Sequence, residues 1–155
     1  MPIARLALAS EADAVVALGR QCFAEHSPFA EFDEALARKT FDAYMTTANP
    51  TILVVEDDDR GHALIGLAVA WFACSGFSKG HLINLDVVYT RADKRDGPAA
   101  ALLAEAFDVF ASRTEPSEIV ATTLQGLDSA DVNVALLQRG YEVAGSILRR
   151  IPSEQ

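Results

Sequence analysis

The fold of this chain is indicated most clearly by residues 81–111, HLINLDVVYTRADKRDGPAAALLAEAFDVFA. Residues 82–89 are apolar apart from Asn84 and Asp86, and such a run predicts a buried strand. From Gly97 onward the apolar residues recur at helical spacing, which predicts an amphipathic helix. The apolar stripe of this helix consists of Leu102, Leu103, Ala106, Phe107 and Phe110. The segment therefore predicts a strand, a turn and a helix.

The turn between this strand and helix concentrates positive charge in an otherwise acidic chain. Its basic residues are Arg91, Lys94 and Arg95, and Gly97 and Pro98 follow where the helix is expected to begin. A helix N-terminus presents free N–H groups and a positive partial charge, which favour an anion. The turn is therefore a candidate phosphate site. The alternative interpretation is a solvated loop with scattered charges.

Composition and charge narrow the class of protein. The chain has 155 residues, half of them hydrophobic, which suits a single domain over 1–155 with its own core and no need of a metal. No apolar run approaches the roughly 20 residues of a membrane span, and the N-terminus lacks a leader pattern. We therefore expect a cytoplasmic protein with no membrane partner. The net charge of -9 argues against nucleic acid, which attracts broad basic surfaces.

The remaining segments predict alternating strands and helices. A short strand at 3–8 precedes a helix that Ser10 and Asp13 would open as a capping box. Cys22 and Cys74 lie in apolar stretches and are expected to be buried free thiols. The other predicted elements are a helix at 33–48, a hairpin of strands 51–56 and 63–74, a strand at 119–124, a helix at 130–139 and a closing strand at 143–151.

Two separated motifs resemble the GCN5-related N-acetyltransferases. Residues 94–99, Lys-Arg-Asp-Gly-Pro-Ala, resemble motif A of that family, Gln/Arg-x-x-Gly-x-Gly/Ala, with Leu102-Leu103 at the expected distance. Residues 139–142, Arg-Gly-Tyr-Glu, resemble the family's Lys-x-Gly-Phe ending of its fourth helix. The element order β-α-α-β-β-β-α-β-α-β also follows the family. The resemblance implies an α/β (α+β) fold with a mixed, mostly antiparallel central sheet flanked by helices.

The resemblance also implies an activity and a donor substrate. The activity is transfer of an acetyl group from acetyl-CoA to a primary amine of a small molecule or protein, and a homodimer is the family-level expectation. The pyrophosphate would lie on the amides at the start of the helix, and the pantetheine arm on the backbone of a fourth strand that splays from the fifth. The residues implied in cofactor binding are Val87, Val88, Tyr89, Lys94, Arg95, Asp96, Gly97, Pro98, Ala99, Ser129 and Asn133.

Amine acetylation requires a base, because the acceptor arrives as an ammonium ion. Asn84 and Asp86 are expected on one face of the central strand, with Ile83, Leu85 and Val87 on the other. Polar residues on one side of a buried strand suggest a cavity on that side. Asp86 is therefore the candidate catalytic base, directly or through water. A carboxylate that pairs with a neighbouring backbone group or Arg is the alternative, and His81 and His26 are alternative bases.

The acceptor site implied by the resemblance lies near the connection between the first two helices. Acidic residues in this region, among them Glu31 and Asp33, are compatible with a cationic acceptor. An alternative role for the phenylalanines of this segment is to hold the second helix in place. The residues implied in substrate binding are His26, Phe29, Phe32, Trp71 and Asn84.

The sequence departs from the family at the acid that protonates the leaving thiolate. Many members carry Asn and then Tyr on the fourth helix, and counting back from Gly140 places Ser129 and Leu136 at these positions, with Asn133 out of register. Either CoA leaves as a thiolate stabilised by a helix end or water, or the protein is a non-catalytic acyl-CoA-binding or regulatory module. An unrelated α/β phosphate-binding protein is a third possibility.

Overall fold

The computed structural model describes residues 1–27, 30–74, 80–122 and 129–145. Its strands are β1 (Pro2–Leu6), β2 (Thr51–Asp57), β3 (Ala63–Cys74), β4 (His81–Thr90) and β5 (Glu118–Ala121). Its helices are α1 (Ala12–His26), α2 (Glu34–Thr47), α3 (Ala99–Ser112) and α4 (Ser129–Leu137). The predicted order is confirmed up to α4. The predicted closing strand lies mostly outside the described residues, and residues 141–145 are not in a strand.

The strands form one mixed sheet in the order β1-β2-β3-β4-β5. β1 to β4 pair antiparallel, and β5 joins β4 in parallel. The hairpin between β2 and β3 was predicted, and Gly61 has the left-handed φ of 71° that its turn requires. The predicted mixed, mostly antiparallel sheet is thus confirmed.

The helices cover both faces of the sheet. Successive residues of β2 alternate between the two faces, as a strand requires, with Leu53 on the α3 and α4 side and Val54 on the α1 and α2 side. The core under α3 and α4 includes Ile83, Leu85, Leu103, Phe107, Val132 and Leu136. The core under α1 and α2 includes Val15, Leu18, Phe41, Ile52, Leu67 and Tyr89. In the part of the chain that is described, no helix combines the length and apolarity of a membrane span.

Two local expectations, one for the start of α1 and one for the cysteines, are wrong. Ser10 and Asp13 do not form a capping box, because a 3₁₀ turn at Ala9–Glu11 precedes the helix and the Glu11 carboxylate accepts the Leu8 N–H at 2.7 Å. The expectation of two buried thiols is the second, because Cys74 is exposed at the end of β3 and Cys22 on α1 is only half-buried.

Strand β4 contains a bulge at Asp86. Val69 pairs with Val87 and Ala70 pairs with Leu85, so Asp86 is an additional residue with no counterpart on β3. The bulge interrupts the alternation of side chains along the strand. As a result Val87 packs in the core under α1 and α2, and its predicted position on the face of Leu85 is wrong.

Candidate active site

The parallel pairing of β4 with β5 ends close to the bulge. The register runs from Leu82 to Leu85, and the Thr122 N–H donates to the Leu85 carbonyl at 2.9 Å. In the described part of β5 the pairing extends no further along β4. The described pairing of β4 with β5 therefore ends one residue before the bulge.

Asn84 joins β4 and β5 near the end of their described pairing. Its Nδ2 donates to Thr122 Oγ1 at 2.7 Å, and its Oδ1 accepts the Thr122 N–H at 3.2 Å. A side-chain amide that bonds the neighbouring strand in this way supports the pairing of the two strands. The structure therefore places Asn84 in the contact between β4 and β5, and it is not among the described residues that line the cavity described next.

A cavity of about 520 Å³ lies between α1, α2 and the sheet. Its walls are mostly aliphatic and aromatic, and Asp86 and Val87 lie where the bulge faces it. Polar residues that also line it are Cys22, His26, Ser27, Glu31, Asp33, Thr40 and Tyr44. A mostly apolar cleft with a few converging polar groups is typical of a small-molecule site.

The Asp86 carboxylate is half-buried beside two aromatic rings. The Trp71 indole N–H donates to Asp86 Oδ2 across the β3–β4 pair, with 3.3 Å between the heavy atoms. Tyr44 packs edge-on against Trp71, with the ring centroids 5.4 Å apart. Burial, and secondarily the negative charge of Asp86, raise the pKa of the Tyr44 hydroxyl. Tyr44 thus remains a neutral hydrogen-bonding group at neutral pH, beside the Asp86 carboxylate.

Tyr44 was not among the predicted site residues. The helical spacing of Phe41, Tyr44 and Met45 placed it on the inner face of α2, where a tyrosine is ordinarily a core residue. Only the packing of α2 against β3 and β4 brings its ring to Trp71 and Asp86. A phenol on an otherwise apolar helix face was the signal that could have identified it.

The predicted acceptor residues on α1 and after it only partly converge. His26 and Phe32 both line the cavity. His26 Nδ1 lies 2.8 Å from the Cys22 carbonyl oxygen, so that nitrogen carries the proton it donates there and Nε2 is the acceptor. Phe32 packs against Phe23 with ring centroids 5.7 Å apart. Phe29 lies outside the described residues.

His81, the other alternative base, is remote from this arrangement of groups. It begins β4, where its ring lies 6.3 Å from that of Phe72. Among the described residues, those that line the cavity do not include His81. Of the three candidate bases, Asp86 and His26 therefore face the cavity.

The basic residues of the turn before α3 point in different directions. Lys94 Nζ lies 2.6 Å from Asp57 Oδ2 at the end of β2, whereas Arg95 forms an ion pair with Glu25 on α1. Arg91 pairs with Asp93, two residues away, at 3.0 Å. The turn therefore presents its cations already paired with carboxylates, and an anion would compete with those carboxylates for them.

Tyr89 connects this turn to α1 through its side chain. It is 1% exposed, its hydroxyl donates to Glu25 Oε1 at 2.9 Å, and the Arg95 guanidinium lies 5.6 Å from the ring centroid. Burial and the neighbouring carboxylate raise the pKa of this phenol. The Tyr89 side chain thus belongs to the core. A cofactor could therefore contact only the backbone of this residue.

The remaining residues of the motif lie at the start of α3. Pro98 is the N-cap of the helix and not its first residue as predicted, while Ala99 and Ala100 are buried against the sheet. A Cβ added to Gly97 would lie 3.2 Å from the Lys94 carbonyl oxygen, so this position has little room for a side chain.

A second cavity, of about 480 Å³, lies beside the turn on the β2 side. Lys94, Gly97, Pro98 and Ala99 line it, together with the carboxylates of Asp57, Asp59, Asp93 and Asp96. Four carboxylates repel a pyrophosphate, so this cavity is a poor phosphate site despite containing motif residues.

Helix α4 carries no acid at the position expected from the resemblance. Leu136 is 3% exposed and belongs to the core, and Asn133 is exposed on the outer part of the helix. Ser129 begins α4, and its side chain lies outside the described structure. The Tyr141 hydroxyl donates to Asp108 at 2.9 Å, and burial together with that carboxylate raises its pKa. Neither Leu136 nor Tyr141 can therefore protonate a thiolate at this site.

One group of potential metal ligands lies at the hairpin between β2 and β3. Glu56, Asp58 and His62 place ligand atoms within 4.8 Å of one another. The Glu56 carboxylate also pairs with Arg5, which itself pairs with Glu11 at 2.6 Å. A guanidinium on the same carboxylate disfavours a second cation, so this group is best described as a charge network.

Comparison with known proteins places the fold in a recognised class. No protein-family model and no curated protein matches the sequence. Among solved structures, an integron cassette protein from the mobile metagenome of Cole Harbour Salt Marsh shares 16% identity and a TM-score of 0.74, over 98% of this chain and 91% of that one. The chain thus resembles proteins of very different sequence.

Two further similar structures have names that state an activity. An aminoglycoside N-acetyltransferase in complex with CoA shares 12% identity and a TM-score of 0.72, over 99% of this chain and 95% of that one. A ribosomal-protein-alanine N-acetyltransferase from Brucella melitensis biovar Abortus 2308 shares 15% identity and a TM-score of 0.72, over 97% and 99%. The fold is that of the GCN5-related acetyltransferases, as the sequence resemblance implied.

Proposed function

We propose that this chain is an N-acetyltransferase that moves an acetyl group from acetyl-CoA to a primary amine. The observation that carries the proposal is the position of Asp86. This carboxylate lies in a bulge of β4, next to the end of the described pairing with β5, and faces a cavity between α1, α2 and the sheet. A base, a cofactor groove and an acceptor cavity would thus meet at one residue.

The residues of β4 beyond Leu85 and those at the start of α3 fit acetyl-CoA as the donor. Beyond Leu85, the backbone of Val87, Val88 and Tyr89 can offer hydrogen bonds to the amides of a pantetheine arm. The first turn of α3, which begins with the small residues Ala99 and Ala100, leaves its N–H groups without intrahelical partners and so suits a pyrophosphate. The similar aminoglycoside N-acetyltransferase is a complex with CoA, which supports the same donor here.

The proposed reaction begins with a proton transfer to Asp86 from the acceptor ammonium. The neutral amine then attacks the thioester carbonyl, forming the C–N bond, and the C–S bond breaks as the tetrahedral intermediate collapses. The second proton lost by nitrogen passes to solvent or to the leaving thiolate. Because Trp71 donates a hydrogen bond to Asp86 Oδ2, the other carboxylate oxygen can face the amine.

A specific observation favours a second candidate, a non-catalytic acyl-CoA-binding module. Leu136 occupies the position of the usual acid and is part of the core, and the Tyr141 hydroxyl is bonded to Asp108. In the described residues of α4 the leaving thiolate has no side-chain acid. The same fold could therefore retain the cofactor groove without efficient turnover.

Two measurements on the purified chain distinguish these functions. Calorimetry with CoA tests the cofactor groove, and release of free thiol from acetyl-CoA with a panel of primary amines tests transfer. Binding with turnover that depends on Asp86 supports the transferase. CoA binding without turnover on any amine supports the module, whereas the absence of CoA binding contradicts both. The proposal treats 1–155 as one domain, in keeping with the near-complete coverage of the similar structures.

A further inference from the structure

The lining of the cavity near Asp86 has a consistent chemistry. The described residues that line it include three carboxylates, Glu31, Asp33 and Asp86, and neither a lysine nor an arginine. Most of the others are aliphatic or aromatic. A ligand carboxylate would lose its hydration there among three carboxylates and no lysine or arginine, whereas an apolar group would gain contacts by leaving water.

The carboxylates lie at two different levels of the cavity. Glu31 and Asp33 are exposed between α1 and α2, while Asp86 is half-buried on the sheet. Leu36 lies beside the exposed pair and is itself 60% exposed, so the entrance has an apolar rim. Acidic groups at an entrance attract a cation, and the carboxylate inside can receive its ammonium group.

We infer that the acceptor is a primary amine with a bulky apolar body and no carboxylate, of which an arylalkylamine is the simplest example. This inference rests on the proposed function, because it assigns the substrate of the same site. The ammonium group pairs with Asp86, and the body packs against Phe41, Ile52 and Val69. An amino acid with the same side chain is rejected by its carboxylate. An amino sugar is disfavoured because most of the wall is aliphatic or aromatic and offers its several hydroxyls fewer partners than water does.

Gly19 offers a way to fill this cavity without disturbing the protein. It lies on α1 and lines the cavity, and a Cβ added to it meets no atom within 4 Å. Leucine at this position would therefore occupy ligand space, and it is also a better helix former than glycine. Ala17 is exposed on the same helix, so Ala17→Leu adds an equal side chain outside the cavity and is the matched control.

The test is calorimetric titration of the full chain with tryptamine, tryptophan and glucosamine. We expect tryptamine to bind at least about tenfold more tightly than tryptophan or glucosamine. A tenfold difference in affinity corresponds to a free energy that one unpaired buried polar group readily costs. Gly19→Leu should weaken tryptamine binding roughly tenfold or more and leave CoA affinity unchanged. Ala17→Leu should change neither. Circular dichroism of both variants checks that they fold like the parent.

Several outcomes would overturn the inference. It is wrong if tryptophan or glucosamine binds as tightly as tryptamine, if tryptamine does not bind, or if Gly19→Leu leaves tryptamine binding as it was. Acetyl transfer, measured separately, keeps the two claims apart. Binding of tryptamine that Gly19→Leu weakens, without transfer, supports the ligand class and contradicts the transferase. Transfer to polar amines alone supports the transferase and contradicts the ligand class.

Discussion

Lys94 on the turn before α3 forms an ion pair with Asp57 at the end of β2, with 2.6 Å between Nζ and Oδ2. The Asp57 side chain is only 8% exposed and that of Lys94 22%. A carboxylate removed from water to this extent depends on its cation. The next residue, Arg95, pairs with Glu25 on α1. The two cations predicted to bind phosphate therefore also attach the turn to two different parts of the fold.

Replacing Lys94 should reduce stability. We expect Lys94→Met to lower the free energy of unfolding by roughly 2–3 kcal/mol, because it leaves the Asp57 carboxylate buried without this cation. Urea unfolding followed by circular dichroism measures the change. Arg91→Met is the matched control, since its pair with Asp93 is more exposed and should contribute less than about 1 kcal/mol. Equal losses for the two variants would show that the Lys94 pair has no special role.

The phosphate assignment predicts that CoA affinity depends on salt. Affinity should fall as the salt concentration rises, because part of the attraction comes from the partly exposed charges of Lys94 and Arg95 acting on phosphates. Replacing both Lys94 and Arg95 by Glu should weaken binding further and reduce the salt dependence. Titration calorimetry at two salt concentrations measures both effects, with Asp13→Arg/Arg38→Asp, which exchanges an exposed ion pair between α1 and α2, as the control. Unchanged affinity in a folded double reversal would remove these residues from the cofactor site.

Gly97 is expected to be sensitive to any side chain. Its added Cβ would lie 3.2 Å from the Lys94 carbonyl oxygen, so the backbone of the turn must shift to accept one. We expect Gly97→Val to abolish measurable CoA binding, and Gly97→Ala to weaken it while changing the unfolding midpoint little. Calorimetry and thermal unfolding on the same samples separate the two effects. If Gly97→Val unfolds the protein, Gly97 serves the conformation of the turn alone.

Asp86→Asn should impair catalysis without impairing cofactor binding. The substitution keeps the size of the side chain and an oxygen for the Trp71 N–H, but removes the basicity. We expect kcat/KM to fall roughly a hundredfold or more and CoA affinity to stay nearly constant. The loss should shrink at high pH, where more of the amine arrives neutral. Parental activity across the pH range would leave His26 or ordered water as the base.

The charge network at β1 should make stability depend on acid. The Arg5 guanidinium donates to Glu11 and holds the pKa of that carboxyl below its ordinary value of 4.5. A carboxyl with a lower pKa in the folded chain binds fewer protons there, so its contribution is complete above pH 4.5 and is lost as pH falls through the lower folded value. Glu11→Gln should therefore lower the melting temperature at pH 7. It should also make the melting temperature fall less steeply as the pH is lowered below 4.5. A decline below pH 4.5 as steep as that of the parent would contradict this role.

The order of elements up to α4, including the turn between β4 and α3, could be predicted from the sequence because it depends on local chemistry. Alternating and continuous apolar runs predicted β2 to β4, and the apolar stripe predicted α3. The Asp33 side chain caps α2 by accepting the Leu36 N–H at 2.9 Å. The polar residues of β4 also indicated a cavity beside Asp86. That prediction needed only the identity of residues on a strand expected to be buried.

The details of the candidate site were decided by tertiary structure. The bulge at Asp86 arises from the pairing of β4 with β3, and it moves Val87 to the face opposite the predicted one. The approach of Tyr44 to Asp86, and the pairing of Lys94 with Asp57 and of Arg95 with Glu25, join residues far apart in sequence. A sequence determines the chemistry of each side chain and the local preference of its backbone. Which distant group neutralises, buries or faces it depends on how the helices pack against the sheet.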